Sequence, residues 1–314
     1  MQMLRTLFCT VLAGVAFSGC GTLPDARPFA DATGALAASV RSSGQALADS
    51  IIETGAAVPE EEQSAYTQLG AKFQKACAVR VQAAQGAVDY ANAIADLMKA
   101  GKQGGETVKT VGDSLSGLAS AVNIPLAGAA FDAAEDLARF IVDRVAIVRA
   151  SHSLEDALSK AQPAVDRMAE HLASESELRL KPTLEAAYKN LRSSISIRYG
   201  GDAGFAQQVE ARRDQLRKET LKDNTKLAQL QEFDRLRTTL AVGLNERDQA
   251  LDKAAAAYKT RLQLLNALTA ATRSWAAAHR DLASAVREKR SVNATELQDT
   301  VVELKDLIKK VRAL

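Results

Sequence analysis

The sequence predicts an all-α fold, an elongated antiparallel bundle of long helices with heptad, coiled-coil-like packing. Apolar residues recur at alternating steps of three and four in almost every long segment, which is the spacing of one helix face. Hydrophobic residues make up 47% of the 314 residues but aromatic residues only 4%, and this composition favours closely packed helices over strands. We find a single short candidate strand, at residues 195–199.

The first long element is predicted between Pro59 and Gly101. Pro59 and the three glutamates that follow it are typical of a helix start, because the acids complement the positive end of the helix dipole. The apolar stripe, which is broken at Arg80, consists of Tyr66, Leu69, Phe73, Ala76, Ala83, Ala87, Tyr90, Ile94 and Leu97. One unbroken helix of this length spans about 60 Å. Cys77 lies beside the stripe, and we therefore predict that it is buried.

The same phase returns in the last third of the chain. It is carried by Tyr258, Leu262, Leu265, Thr269, Thr272, Ala276, His279, Ala283 and Val286, and then, after a predicted break near Ser291, by Leu297, Val301, Leu304, Ile308 and Val311. Asn293 and Glu296 are spaced like a capping box for the last helix. Both stripes require partner helices, which either this chain or another one supplies.

A third stripe crosses the densely charged region from residue 207 to residue 252, which otherwise indicates a solvated helix surface. It consists of Leu227, Leu230, Phe233, Leu236, Leu240 and Leu244, with Gly243 as a predicted kink. Further helix boundaries or kinks are predicted at residues 101–105, Pro125, Pro163, Pro182 and residues 199–201. The bundle is assigned to residues 29–314, and a division into two lobes near residue 200 is an alternative.

The N-terminal residues have the layout of an export signal. Arg5 precedes an apolar run at residues 7–17, which is too short to span a membrane, and small residues then lead to Cys20. The motif Phe17-Ser18-Gly19-Cys20 resembles the bacterial lipobox, with Phe17 where Leu is usual. An ordinary signal peptide with a chance cysteine is the alternative.

The lipobox resemblance implies that residues 1–19 are a signal peptide that is removed and that Cys20 becomes the lipidated first residue. Two or three acyl chains would then anchor the protein, because each buried methylene contributes about 0.8 kcal/mol. Gly21 after the cysteine resembles the pattern that is sorted to the outer membrane. Residues 20–28 are predicted to be a poorly ordered tether, and the body is expected to face the periplasm.

No catalytic, metal-binding or cofactor-binding residue is predicted. His152, His171 and His279 are far apart in sequence, and His279 falls on a heptad stripe, where a hydrogen-bonded core histidine is expected. Residues 101–107 contain glycines and a lysine, but not in the order of a phosphate-binding loop, so we interpret them as a helix end and a turn. The net charge of +2 argues against nucleic acid as a partner.

Residues 114–148 are unusually apolar, and residues 114–131 contain no charged residue. As a helical hairpin this segment resembles, in architecture only, the membrane-inserting head of cytolysin A-type pore formers. The other interpretation is a tight helix-proline-helix connection that packs in the core. The acidic and basic residues in the second half of the segment favour the core.

Together these observations predict a non-enzymatic, membrane-anchored lipoprotein that acts as a scaffold or docking protein in the bacterial cell envelope. Its expected partners are the membrane, through the acyl chains, and another envelope protein or a second copy of itself. Membrane perturbation by residues 114–148 is the alternative function. An enzyme with a site assembled across helices is a third possibility, which no motif supports.

Overall fold

The computed structural model describes residues 23–56, 58–101, 105–122, 131–219 and 224–314. These residues form α-helices and one π-helical segment, with no strand among them, so the predicted all-α fold is confirmed. The helices are α1 (Arg27–Gly55), α2 (Glu60–Lys99), α3 (Gly105–Val122), α4 (Phe131–Arg149), α5 (Leu154–Glu175), α6 (Lys181–Arg198), α7 (Gly200–Glu219), α8 (Asn224–Glu288) and α9 (Thr295–Arg312). The candidate strand at residues 195–199 is wrong, since it lies at the end of α6.

Helices α1 and α2 form a closely packed antiparallel hairpin, and α2 is the long helix that the first apolar stripe predicted. A Cβ atom added at Gly44 of α1 would lie 2.9 Å from the Cβ atom of Cys77 on α2. Glycine is therefore the residue that permits this approach of the two backbones. Helix α3 packs on α2 and α4, and α4 packs on α5, so the middle of the chain continues the bundle.

Helix α8 is a single helix of 65 residues, which corresponds to about 97 Å. Its C-terminal part packs against α1, α5, α6 and α9, while α7 packs on its N-terminal part. The predicted kink at Gly243 does not end the helix. The predicted sub-boundary near residue 200 falls between α6 and α7.

The largest buried side chains meet where α1, α2 and α8 cross. Phe29 stacks on Trp275, with ring centroids 6.4 Å apart, and the Trp275 indole N–H donates to the Thr33 hydroxyl at 3.2 Å. The stripes of α2 and α9 are closed by helices of this same chain, as Tyr66 and Leu304 are 3% and 0% exposed. In this part of the bundle the heptad stripes are therefore internal.

The boundaries predicted at Pro163 and Pro182 have different outcomes: no helix ends at Pro163, whereas the boundary at Pro182 is confirmed, because α6 begins at Lys181. Helix α5 runs through Pro163 without ending. Pro182 lies in the first turn of α6, directly after the π-helical segment Ser176–Leu180, and the wider π turn makes room for the proline ring against the preceding carbonyl. Pro125 lies outside the described residues.

The capping box predicted for α9 is also wrong. The cap residue is Ala294, and the Glu296 carboxylate accepts a hydrogen bond from the Ser274 hydroxyl at 3.2 Å. Asn293 instead closes a short turn, in which its side-chain oxygen accepts from the Thr295 backbone N–H at 3.1 Å. The break near Ser291 is confirmed, because α8 ends at Glu288 and α9 begins at Thr295.

The signal peptide and Cys20 lie outside the described residues. Of the predicted tether, the part from Leu23 onward is described, and it lies against the bundle: Ala26 is 1% exposed and Leu23 is partly buried on the core. Helix α1 begins at Arg27, two residues before the predicted start of the bundle.

Candidate functional site

His279 lies at the centre of the bundle and is 0% exposed. Its Nε2 atom is 2.7 Å from the Tyr90 hydroxyl, and its Nδ1 atom is 2.6 Å from the Gln162 side-chain oxygen. Because that oxygen only accepts, Nδ1 carries the proton and the Tyr90 hydroxyl donates to Nε2. Burial lowers the pKa of His279 to about 4. The predicted hydrogen-bonded core histidine is confirmed.

The structure gives the three histidines different surroundings. His171 lies 3.7 Å from the Glu175 carboxylate, which also forms an ion pair with Arg80 at 3.5 Å, and burial lowers the pKa of His171. His152 precedes α5, and its backbone N–H donates to Asp156. Among the described residues no group of three or more His, Cys, Asp or Glu side chains is arranged to hold a metal ion.

Cys77 is 7% exposed, and burial raises the pKa of its thiol to about 11, so its predicted burial is confirmed. A thiol of that pKa is almost wholly protonated at neutral pH and is a poor nucleophile. The first glycine of the 101–107 segment, Gly101, has a φ of +62° and follows Ala100, the C-cap residue of α2, as expected for a helix end.

Many apolar side chains of the 114–148 segment point into the bundle. Leu115, Leu118, Ile141 and Val148 are each 0% exposed. Val142 and Ile147, on the outer side of α4, are 53% and 40% exposed. Residues 123–130 lie outside the described part of the chain. None of the described helices is both long enough and apolar enough to cross a membrane.

The candidate functional site is a two-helix extension of the bundle, which we call the arm. It consists of α7 together with residues 224–253 of α8. Ion pairs hold the two helices antiparallel, with Arg213 3.1 Å from Asp234 and Glu210 3.3 Å from Arg237. Val209 and Leu216 of α7 are each 1% exposed.

The apolar stripe of α8 in the arm is only partly covered. Leu230, Phe233, Leu236, Leu240 and Leu244 are all of intermediate exposure, since α7 is the helix packed on this part of α8. Further apolar side chains face solvent, with Phe205, Leu227 and Val242 at 48%, 46% and 55% exposure. Of the described residues 226–253, none is fully buried.

A shallow groove of about 560 Å³ runs along the base of the arm. Its floor contains Ala203, Ala206 and Ala241, and these small side chains leave the space between the two helices. Leu240 and Leu244 of the half-exposed stripe also line it. Sequence reasoning interpreted residues 207–252 as a solvated surface and found the stripe, but did not single it out for binding. The exposed fraction of these leucines depends on how many helices pack there, which the stripe alone does not show.

Comparison of the chain with protein-family models, with curated proteins and with solved structures found no match.

Proposed function

We propose that this chain is a lipoprotein, anchored through Cys20, whose helical body is a non-enzymatic scaffold of the bacterial cell envelope. In this proposal the arm is the docking surface, and its occupant is the arm of a second copy of the chain. The observation that carries the proposal is the half-exposed leucine stripe on α8, in contrast to the closed stripes of the rest of the bundle.

A pair of helices buries only one side of each apolar stripe. Two such pairs packed against each other would form a four-helix bundle, in which the stripes of both copies become core. Covering the half-exposed Leu230 and Leu244 would remove apolar area from water, and each square ångström contributes roughly 25 cal/mol. The arm has this incomplete form along the whole described length of residues 226–253.

The charges along the arm favour an antiparallel arrangement of the two copies. The tip, residues 211–219 and 224–236, contains six basic and four acidic residues. The base, residues 200–210 and 237–253, contains three basic and five acidic residues. Antiparallel pairing places each tip beside the oppositely charged base of the other copy, whereas parallel pairing places like beside like.

The position of the arm supports a role away from the anchoring membrane. Helix α1 runs antiparallel to α8, since Thr54 contacts Arg261 while Thr33 contacts Trp275. The start of α1, which follows Cys20 by a few residues, therefore lies at the end of the bundle opposite the arm. Measured along α8, residue 224 is about 75 Å from Trp275.

The oligomeric state of the purified body, begun after Cys20, tests the docking surface. We expect a concentration-dependent dimer by sedimentation velocity. Leu230→Asp and Leu244→Asp should make it monomeric, because each places a charge in the proposed seam. Val302→Asp is the matched control, since Val302 is 58% exposed on α9, outside the arm, and it should leave the dimer intact. A wild-type monomer at every concentration would overturn the second copy as occupant.

Photocrosslinking in cells tests the arrangement. A crosslinking amino acid at Leu227 should join the tip to the base half of another copy, near residue 250. A crosslink from tip to tip would contradict the antiparallel arrangement. A crosslink to a different envelope protein would show that this protein, and not a second copy of the chain, occupies the arm. The anchor is tested separately by metabolic labelling with palmitate, which Cys20→Ser should abolish.

A further inference from the structure

A cavity of about 280 Å³ lies where the arm joins the bundle. Its walls come from the end of α1, from α6 and from residues 250–261 of α8. Most of the lining is apolar, with Leu191 and Ile195 on one side and Ala254 and Ala257 on the other. The alanines leave the space that larger side chains would fill.

Arg261 reaches into this cavity with an incompletely paired guanidinium group. The residue is 9% exposed, and its Nη2 atom donates to the Ser50 carbonyl and the Thr54 hydroxyl, both at 3.0 Å. Its Nε atom is buried and has no hydrogen-bond partner. No carboxylate of the described residues forms an ion pair with it, and burial lowers the pKa of the group.

The other buried arginines of the described chain have carboxylate partners. Arg80 lies 3.5 Å from Glu175, and Arg213 forms ion pairs with Glu210 and Asp234. A buried guanidinium without an anion is costly, because it has lost water without gaining a counter-charge. Arg261 is thus the buried arginine that lacks its anion, and it lines the cavity.

The mouth of the cavity has the same sign of charge. Arg198 and Lys253, both exposed, line it together with Arg261. Glu53 is the acidic residue of the lining, and it raises the pKa of Arg261 without forming an ion pair within 4 Å. Among the side chains of the lining, three cations and one carboxylate leave a positive charge, which attracts an anion into the mostly apolar space.

We infer that this cavity binds a single-chain amphiphile with an oxyanion head, the head accepting from the Arg261 guanidinium and the chain lying along Leu191, Ile195, Ala254 and Ala257. A guanidinium offers a carboxylate or a phosphate parallel donors, which is the geometry that both heads share. The ligand needs both parts. An uncharged apolar ligand would leave Arg261 without an anion, and a small anion without a chain would leave the apolar walls uncovered.

Calorimetric titration of the purified body tests the inference with four probes: sodium octanoate, octyl phosphate, 1-octanol and inorganic phosphate. We expect octanoate or octyl phosphate to bind at least about tenfold more tightly than octanol or inorganic phosphate. The better of the two charged probes identifies the head as a free carboxylate or as a lipid-like phosphate. Equal binding of octanol, or no binding of either charged probe, would overturn the inference.

Three variants locate the site. Arg261→Met should lower the affinity about tenfold or more, and Arg273→Met, a change at an arginine exposed on the same helix, should not change it. Because Arg261→Met also removes two hydrogen bonds, Ala257→Leu provides a second test: it fills the cavity without altering Arg261 and should also abolish binding.

Glu53→Gln distinguishes a ligand from an internal counter-ion. If the cavity awaits an anion, removal of the Glu53 charge should strengthen octanoate binding. If Glu53 is instead the partner of Arg261 in solution, Glu53→Gln should lower the melting temperature, because it leaves the buried guanidinium without its anion, and that result would overturn the inference.

Discussion

The Tyr90 hydroxyl and the His279 Nε2 atom lie 2.7 Å apart at the centre of the bundle, although 189 residues separate them in sequence. Gln162, from a third helix, holds the other nitrogen of the ring, so α2, α5 and α8 are joined through one imidazole. A protonated His279 would have to donate to Tyr90, and the Tyr90 hydrogen would then lose its acceptor. This network therefore requires a neutral histidine.

The neutral histidine predicts a pH-dependent stability. The pKa of His279 is about 4 in the folded chain against 6.5 ordinarily, so the unfolded state binds the proton more tightly. The contribution is complete above pH 6.5 and is lost as the pH falls toward 4, by about 3 kcal/mol. Urea denaturation across this range should show it. The pKa of the half-buried His171 is lowered too, so His171 contributes with the same sign. The difference between wild type and His279→Gln therefore isolates His279, and a flat difference would contradict the prediction.

The ion pair of Arg80 with Glu175 predicts a strongly asymmetric double-mutant cycle. Glu175→Gln should lower the free energy of unfolding by about 3 kcal/mol, because it leaves a buried guanidinium without its anion. Replacing both residues by methionine should restore most of that loss. Glu177→Gln is the control, since Glu177 forms an exposed pair with Lys181, and it should change stability by less than about 1 kcal/mol. A double variant as unstable as Glu175→Gln would show that the charge itself is required.

Two glycines of α1 predict opposite effects of the same substitution. Gly44→Ala should destabilise the protein, because its Cβ atom would lie 2.9 Å from that of Cys77, which is held by the α2 backbone. Gly34→Ala should stabilise it by about 0.5–1 kcal/mol, because alanine favours the helix and no atom lies within 4 Å of the added methyl group. Thermal denaturation of both variants is the measurement. Equal shifts in the same direction would contradict the close approach of α1 and α2.

We predict that the Cys77 thiol reacts only when α1 and α2 separate. It is 7% exposed, and its raised pKa leaves little thiolate at neutral pH. With a neutral-pH thiol reagent, labelling of the body begun after Cys20 should be slow in buffer and fast in denaturant. Gly44→Ala should accelerate labelling in buffer if it opens this interface, whereas Gly34→Ala should not.

The helices could be predicted from sequence to the extent that one face of each is apolar. The apolar stripe from Tyr66 to Leu97 predicts α2, and the position of His279 on a later stripe predicts that this histidine is buried. Pro163 and Asn293 were misinterpreted, because a proline within a helix and a cap at its start depend on the neighbouring turns. The anchor at Cys20 lies outside the described residues and stays a prediction.

The arm and the cavity were not predictable, for a different reason. A leucine stripe has the same spacing whether one helix or three cover it, so exposure at Leu240 depends on tertiary packing. Arg261 lies next to Leu262 of a predicted apolar stripe, and nothing in the local sequence indicates that its guanidinium lacks a carboxylate. Among the described residues, the arm is defined by the absence of a covering helix, and the cavity by the absence of a carboxylate beside Arg261. Both absences are visible only in the folded chain.

Because α8 belongs to both the arm and the core, its amide hydrogens should exchange with solvent at different rates in these two parts. The described side chains before Ala254, those of residues 226–253, are exposed or half-buried, so fraying of this part of α8 exposes its amides to deuterium without unfolding the bundle. Amides beyond Leu264, where side chains such as Leu264 and Trp275 are almost fully buried, exchange only when the whole bundle opens. Protection along α8 should therefore rise steeply between these two positions, within one continuous helix.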